Sequence, residues 1–186
     1  MKLNNEDAVM QESLVVTLIG ADRPGIVAQL AAVAAACDAG WEESKMARLA
    51  GRFAGIVRLE IASERLTDLE RALSEIDIDG IRLTVDRGSS PTGPADTGLI
   101  HLDIVGHDRH GIVRDISAAL ARHRVSIDEL DTDIEEASMS GGPLFRARAS
   151  LRSLGNVDID ALRSDLERIA DDLMVEIALE SAEAPR

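Results

Sequence analysis

Gly20-Ala21-Asp22-Arg23-Pro24-Gly25-Ile26-Val27 occurs a second time as Gly106-His107-Asp108-Arg109-His110-Gly111-Ile112-Val113, with six of eight residues identical. The offset between the two stretches is 86 residues, the difference between 22 and 108. Apolar positions further along keep the same offset, for example Leu30 and Ile116. Because self-similarity at a fixed period indicates a repeated structural unit, the sequence predicts two copies of one fold.

A segment typical of a linker separates the two copies. Residues 88–94 consist of glycine, serine, proline and threonine, a composition that neither a helix nor a strand tolerates well. We therefore expect a first domain over residues 13–87, a linker over residues 88–97 and a second domain over residues 98–180.

Copy one reads as strand, helix, strand, strand, helix, strand. The apolar run over residues 14–19 predicts a central strand buried on both faces. Helical spacing of apolar residues predicts a helix from about residue 25 to residue 39, with Gly40 suited to the position after its end. Alternating apolar residues from Phe53 to Ile61 predict a strand with one buried face. A second helix and a last alternating strand follow.

Copy two repeats this order, and its offset from copy one grows from 86 to 94 residues by the last strand. Much of that growth falls in a longer hairpin over residues 135–143. The βαββαβ order predicts the α+β class, with two tandem ferredoxin-like domains. Each domain is expected to be a four-stranded antiparallel sheet with two helices on one face.

The repeated loop lies between the first strand and the first helix of each copy. Unpaired N–H groups and the positive end of a helix dipole favour an anion there, such as a carboxylate. Asp22 and Asp108 offer acceptors for a ligand's ammonium group, and the glycines leave room for close approach. The alternative is structural: aspartate as N-cap, proline in the first helical turn and glycine for tight packing. The candidate ligand-binding residues in this loop are Asp22, Arg23, Pro24, Gly25 and Ile26 in copy one, and Asp108, Arg109, His110, Gly111 and Ile112 in copy two.

The residues that open the second strand of each copy form another candidate set. We expect Glu43 and Ser44 in copy one, and Glu129 in copy two, to lie near the loop and line the same pocket. The alternative is a solvated acidic start of a strand, which is the common environment of such residues.

Several function classes are disfavoured by the composition. A formal net charge of −14 repels phosphate backbones, so direct nucleic-acid binding is not expected. No nucleophile with a base, no paired acid and base, and no glycine-rich phosphate loop stands out. The cluster from His107 to His110 lacks a fourth ligand for a metal. We therefore expect no enzyme activity, no metal and no cofactor.

The cellular location is predicted from three features. Cys37 is the only cysteine, so an intrachain disulfide is excluded. Residues 1–12 are polar and acidic, unlike a secretory signal, and no apolar run approaches the roughly 20 residues that span a bilayer. These features predict a cytoplasmic protein without membrane contact.

At Gly20-Ala21-Asp22-Arg23-Pro24-Gly25-Ile26-Val27 the sequence resembles the ACT domain, a regulatory βαββαβ module that typically binds amino acids. Two such domains, together with residues 44–53, resemble the glycine cleavage system transcriptional repressor family over about residues 13–180. The resemblance implies a ligand between paired modules, contacted by the first loop and by the start of the second strand. Copy two departs from the family loop at His110, the position at which copy one has Pro24.

The resemblance also implies partners. They are an amino-acid ligand, with glycine as one candidate, and a protein partner such as a transcriptional activator rather than DNA. ACT domains pair, so a homodimer or pairing within the chain is expected. The alternative function is a structural module that associates without a ligand, since open strand edges favour assembly.

Overall fold

The computed structural model describes residues 10–88, 99–136 and 142–181. The chain divides into two compact units, with the division between residues 92 and 93. Apart from Gly88, the predicted linker lies outside the described residues, and so does the tip of the second hairpin at residues 137–141.

The first unit consists of six principal elements in the order βαββαβ. Their bounds are β1 Gln11–Ala21, α1 Ile26–Ala36, β2 Gly40–Leu49, β3 Arg52–Ala62, α2 Leu66–Glu75 and β4 Ile81–Arg87, with a short 3-10 turn at Ser63–Arg65 before α2. The sheet has the strand order β2-β3-β1-β4, and all neighbouring strands are antiparallel.

The second unit repeats this arrangement. Its elements are β5 Leu99–His107, α3 Ile112–Arg122, β6 Val125–Glu136, β7 Pro143–Ser153, α4 Ile159–Leu173 and β8 Val175–Ser181. The sheet order β6-β7-β5-β8 is that of the first unit, again antiparallel throughout. The predicted α+β class and the ferredoxin-like βαββαβ order are confirmed in both units.

Burial along β1 shows that only one face of the sheet is covered. Leu14, Val16 and Leu18 are at most 2% exposed, whereas Thr17 is exposed and Ile19 retains 43% of its accessible surface. The prediction of a strand buried on both faces is therefore wrong. Both helices pack on the same side of the sheet, so the apolar residues between the buried ones face the open side.

The first helix of copy one ends earlier than the apolar pattern predicts. α1 ends at Ala36, and Asp38 then adopts the left-handed conformation with φ 54°. Arg124 takes the equivalent position in copy two with φ 58°. Gly40 lies within β2, so its predicted place after the helix end is wrong.

The first glycine of the repeated motif lies in a close contact between neighbouring strands. A Cβ atom on Gly20 would stand 2.1 Å from the carbonyl oxygen of Gly80, at the start of β4. A Cβ atom on Gly106 would stand 2.6 Å from Cγ1 of Val175, at the start of β8. These distances are shorter than van der Waals contact, so both copies require glycine where the motif begins.

Candidate functional site

The helix that follows each repeated loop begins at a glycine. Gly25 and Gly111 are the N-cap residues of α1 and α3, with left-handed φ angles of 94° and 103°. Neither helix start has a side-chain capping hydrogen bond. The alternative interpretation of Asp22 and Asp108 as N-caps is thus wrong, because both lie three residues before the cap. The glycines are needed for a conformation that other residues rarely adopt.

Each loop is attached to the hairpin beside it by one backbone hydrogen bond. The N–H of Asp22 donates to the carbonyl of Gly51, between β2 and β3, over 3.1 Å. The N–H of Asp108 donates to the carbonyl of Pro143, at the start of β7, over 3.0 Å. The end of β2 therefore lies next to the first loop, which brings a side chain of β2 to the site.

In copy one, two guanidinium groups lie at the loop. Arg48 Nε lies 3.5 Å from Asp22 Oδ2, and Arg23 Nε donates to the carbonyl of Asp79 over 3.2 Å. The first turn of α1 contains no acidic residue. The two cations and the uncompensated helix N-terminus thus create a positive environment in a protein of strongly negative net charge. Asp22 is the acceptor within it.

Copy two differs at the same places. Ile134, opposite Phe145, takes the position that Arg48 has opposite Phe53. The first turn of α3 contains Asp115, whose Oδ1 accepts from Arg114 over 2.7 Å. That hydrogen bond holds the pKa of Asp115 below its usual range, so a carboxylate already occupies the helix start. This loop is less favourable to an external anion.

The remaining loop residues fall into two groups. Pro24 and His110 are exposed, whereas the side chains of Ile26 and Ile112 are 2% exposed and belong to the two hydrophobic cores. The isoleucines can therefore present only backbone atoms to a ligand. Arg109 extends toward Met174, with Nη2 3.7 Å from Sδ.

The predicted second set does not join the loop within either unit. Glu43 pairs with Arg58 on β3, whereas the loop end of β1 pairs with Arg52 at Ala21. Six residues along a strand correspond to about 20 Å. Because β1 and β2 are both antiparallel to β3, the start of β2 lies at the other end of the sheet. The expected proximity of Glu43 and Ser44 to the loop is wrong.

The same correction applies to copy two. Glu129 pairs with Ser150, and the loop residue His107 pairs with Leu144, six residues away along β7. This separation also corresponds to about 20 Å. Glu129 thus belongs to the opposite end of its sheet from the loop of its own unit.

Glu43 and Ser44 instead border a separate surface of the first sheet. They line a shallow depression of about 240 Å³ together with Val15, Lys45, Ile56 and Arg58. Glu43 Oε2 lies 4.0 Å from Arg58 Nε, and the Glu43 side chain is largely exposed whereas that of Arg58 is half-buried. The depression is thus a surface feature distinct from the loop.

Sequence reasoning missed Arg48. Its signal is present in the sequence: counting back from the hairpin turn at Gly51 places Arg48 near the end of β2 and opposite Phe53, which pairs with Gly20. The prediction instead took the start of β2, because it did not account for the antiparallel direction of the intervening strand.

Neither a metal site nor a membrane-spanning helix occurs among the described residues. Among residues 10–88, 99–136 and 142–181, no group of three His, Cys, Asp or Glu side chains is arranged to hold a metal ion. None of the helices in that same part of the chain is long and apolar enough to cross a membrane.

The family comparison supports the interpretation of the repeat. Residues 12–79, which extend from β1 through α2 and end before β4, match the family model of the ACT domain. The second unit has the same element order and sheet topology and repeats the loop. The first unit is therefore an ACT domain, and the chain repeats that fold in tandem. The predicted resemblance is confirmed.

Among curated proteins, this ACT tandem resembles the glycine cleavage system transcriptional repressor of Escherichia coli (strain K12). The two are 23% identical over 167 residues, which cover 88% of this chain and 86% of the relative. The same-named protein of Shigella flexneri has the same identity and coverage. These relatives are described as regulators of transcription.

Two solved structures match along almost the whole ACT tandem. A protein of Galdieria sulphuraria, described as unknown, is 30% identical with a TM-score of 0.78, covering 94% of this chain and 100% of the other. The chain belongs to the same family as that protein. A second structure, whose description names a glycine cleavage system transcriptional repressor, is 16% identical with a TM-score of 0.70. The match covers 94% of this chain and 99% of the other. The latter match supports the shared fold.

Proposed function

We propose that this ACT tandem is a non-catalytic regulator that binds a small amino acid at the loop of copy one and thereby modulates a protein partner. The main supporting observation is the start of α1, where Gly25 is left-handed and no acidic residue occupies the first turn. Arg23 and Arg48 lie beside it. We take the two domains to extend over residues 13–87 and 98–180.

In this proposal the ligand's carboxylate accepts from the N–H groups at the start of α1, where the helix dipole also favours it. The ammonium group donates to Asp22, whose carboxylate faces Arg48 on one side. Arg48 stabilises the carboxylate end of the ligand. The site residues are Asp22, Arg23, Pro24, Gly25, the backbone of Ile26, and Arg48. Glycine is a candidate because the scheme requires only the backbone groups that all amino acids share.

The loop of copy two is proposed to bind amino acids more weakly. Asp115 supplies a carboxylate at the start of α3, and Ile134 replaces the guanidinium that Arg48 provides. The site there would consist of Asp108, Arg109, His110, Gly111 and the backbone of Ile112. Its lower affinity follows from the competing negative charge.

The partner in this proposal is a protein, with a transcriptional activator as the candidate. A net charge of −14 disfavours direct contact with DNA, whose binding relies on Lys and Arg. The curated relatives are described as transcriptional repressors. Because this chain is strongly acidic, we propose that it acts by contacting another protein rather than DNA.

A thermal-shift screen of the twenty amino acids tests the ligand. A ligand that binds only the folded state raises the melting temperature, and about 2.7 kcal/mol of stabilisation is expected at 100 times Kd. We expect a shift with at least one small amino acid at millimolar concentration, and a smaller shift with Arg48→Ile. The absence of a shift with all twenty would overturn the proposal.

A structural module that associates without a ligand is the second candidate, and the open edges of both sheets favour it. β2 and β4 are the edge strands of the first sheet, and β6 and β8 those of the second. Such edges favour pairing with other chains. Light scattering that detects association unaffected by any amino acid would support this candidate; a monomer at all concentrations would exclude it.

A further inference from the structure

The edge strand β6 presents two different rows of side chains. Asp131 and Asp133 are opposite Arg148 and Arg146 on the open face of the sheet. Leu130 and Ile134 lie on the helix side, opposite buried residues of β7, and are 41% and 56% exposed. Side chains directly opposite each other share a face. β6 is therefore acidic on one face and aliphatic on the other, at a strand with an open outer edge.

The acidic row exceeds the basic row that neutralises it. β6 contains six acidic residues, and its inner neighbour β7 contains three arginines. Arg146 pairs with Glu135 at 3.5 Å and Arg152 with Asp128 at 2.8 Å, whereas Arg148 approaches Asp103 of β5 at 4.0 Å.

Negative charge therefore remains along β6. Among the described residues, Asp131 and Glu136 have no cation within 4 Å.

The equivalent edge of the first unit lacks this chemistry. β2 contains Glu42 and Glu43 but also Lys45 and Arg48, so its charges balance. Ala47, opposite Ala54, takes the place that Asp133 has in β6 opposite Arg146. The acidic edge is thus a property of β6 rather than of the fold.

We propose that the outer edge of β6 binds an extended segment of a protein partner in which Arg or Lys alternates with aliphatic residues. β7 is the internal precedent: its arginines face the acidic row, while its apolar residues Phe145, Ala147, Ala149 and Leu151 are buried on the other face. A partner strand of the same kind would place its cations beside Asp131 and Asp133. It would also cover Leu130 and Ile134. Addition of a strand to an open edge is an established mode of peptide recognition.

This inference names the surface for the partner and rests on the proposed function only in that a partner exists. The probe is a labelled, end-capped peptide with the sequence of residues 144–152, Leu-Phe-Arg-Ala-Arg-Ala-Ser-Leu-Arg. Binding to the full chain is followed by fluorescence anisotropy. We expect saturable binding that weakens with salt, and protection of β6 but not β2 amides in hydrogen–deuterium exchange.

Matched variants separate this edge from the general attraction of an acidic protein. Asp131→Asn with Asp133→Asn raises the net charge by two, and so does Ala47→Lys with Thr17→Lys on the exposed face of the first sheet. We expect about tenfold weaker binding for the first pair, since two cross-strand charge pairs with the peptide are lost. The second pair should change the affinity by less than about twofold. Equal weakening in both would overturn the proposal.

The strand geometry has its own test. A strand uses the N–H groups of alternate residues on one edge, so N-methylation of one alternate set should abolish binding and methylation of the other set should not. A peptide of the same composition with its arginines in one block should bind at least about fivefold more weakly. If both methylated peptides and the block peptide bind as the probe does, the edge is not a strand-docking site. Amino-acid thermal shifts are independent of either result.

Discussion

Arg48 Nε lies 3.5 Å from Asp22 Oδ2, which joins the end of an edge strand to the loop that begins the first helix. Copy two has Ile134 at the position of Arg48. This difference adds to those at Pro24 and His110 and at Asp115, in two loops that share six of eight residues. The charge of the first loop depends on a strand that lies some twenty-five residues away in the chain.

Replacing Arg48 by isoleucine should give the first loop the residue that the second loop has at this position, Ile134. The side chain is 70% exposed, so the fold should tolerate the change. We expect amino-acid affinity to fall about tenfold, as for the loss of one charge-assisted hydrogen bond. Isothermal titration with the ligand from the screen measures the change. Arg71→Ala, at an exposed Arg71–Asp68 pair on α2, is the control and should bind normally.

Replacing Gly25 by alanine tests the left-handed start of α1. The nearest atom to the added Cβ would be Gln29 Nε2 at 3.7 Å, so the cost arises from the backbone. We expect a loss of about 1–2 kcal/mol in the free energy of unfolding, and weaker ligand binding. Chemical denaturation and titration measure the two effects.

Gly111→Ala should cost similar stability and leave the ligand affinity of the copy-one loop unchanged. Substituting leucine at the same two glycines gives a larger perturbation with which to compare the copies. If Gly25→Leu leaves binding intact while Gly111→Leu abolishes it, the ranking of the two loops is reversed.

Replacing Gly20 by alanine should be costly because the strands touch there. The added Cβ would lie 2.1 Å from the Gly80 carbonyl oxygen, a backbone atom with little room to move. We expect a loss of about 1–3 kcal/mol in unfolding free energy, as for other overpacked sites. Gly40→Ala is the matched control, since its Cβ would lie 2.9 Å from the movable carboxylate of Glu42 and at an ordinary contact distance of 3.6 Å from the Glu60 carbonyl oxygen. Equal stability of the two variants in denaturant titration would contradict the close-contact interpretation.

Asp165 should contribute to stability against acid. It accepts from Arg122 over 2.7 Å and also pairs with Arg168 and His123. The hydrogen bonds from Arg122 and then Arg168 lower its pKa from 3.8 to about 2. Because the folded-state pKa lies below the unfolded value, the contribution is complete above about pH 4 and is lost as the pH falls toward 2.

Denaturant titrations at pH 6 and pH 2.5 test this dependence. Asp165→Asn should lower the stability at pH 6 and have a smaller effect at pH 2.5, where the native carboxylate is partly protonated. Asp171→Asn, on the exposed surface of the same helix, should have little effect at either pH. A loss in Asp165→Asn that is the same at both pH values would show that the ion pairs contribute nothing.

The fold could be predicted from the sequence because the repeat and the apolar periodicity both indicate it. Alternation in β3 and helical spacing in α1 reflect burial on a single face, and the structure reproduces both. The error in β1 arose because Val15 and Ile19 are apolar although they face the open side. Residue type alone does not report which face of a strand is covered.

The site was less accessible because it depends on strand direction and on backbone angles. The repeat indicated that Gly25 is required but did not indicate the reason, because a left-handed N-cap has no sequence signature beyond glycine itself. Arg48 and Glu43 both belong to β2, and only the pairing register decides which of them reaches the loop. That register is a tertiary property, fixed by contacts between distant parts of the chain.

The hydrogen bond from the Asp22 amide to the Gly51 carbonyl makes the loop and the hairpin a single mechanical unit. A molecule that immobilises the loop must also restrain the hairpin, unless this bond breaks. The Asp108–Pro143 bond imposes the same condition on copy two, where it joins the loop to the start of β7. In each copy, therefore, we expect stiffness gained at the loop to reach the neighbouring strands of the sheet, with no change of shape required.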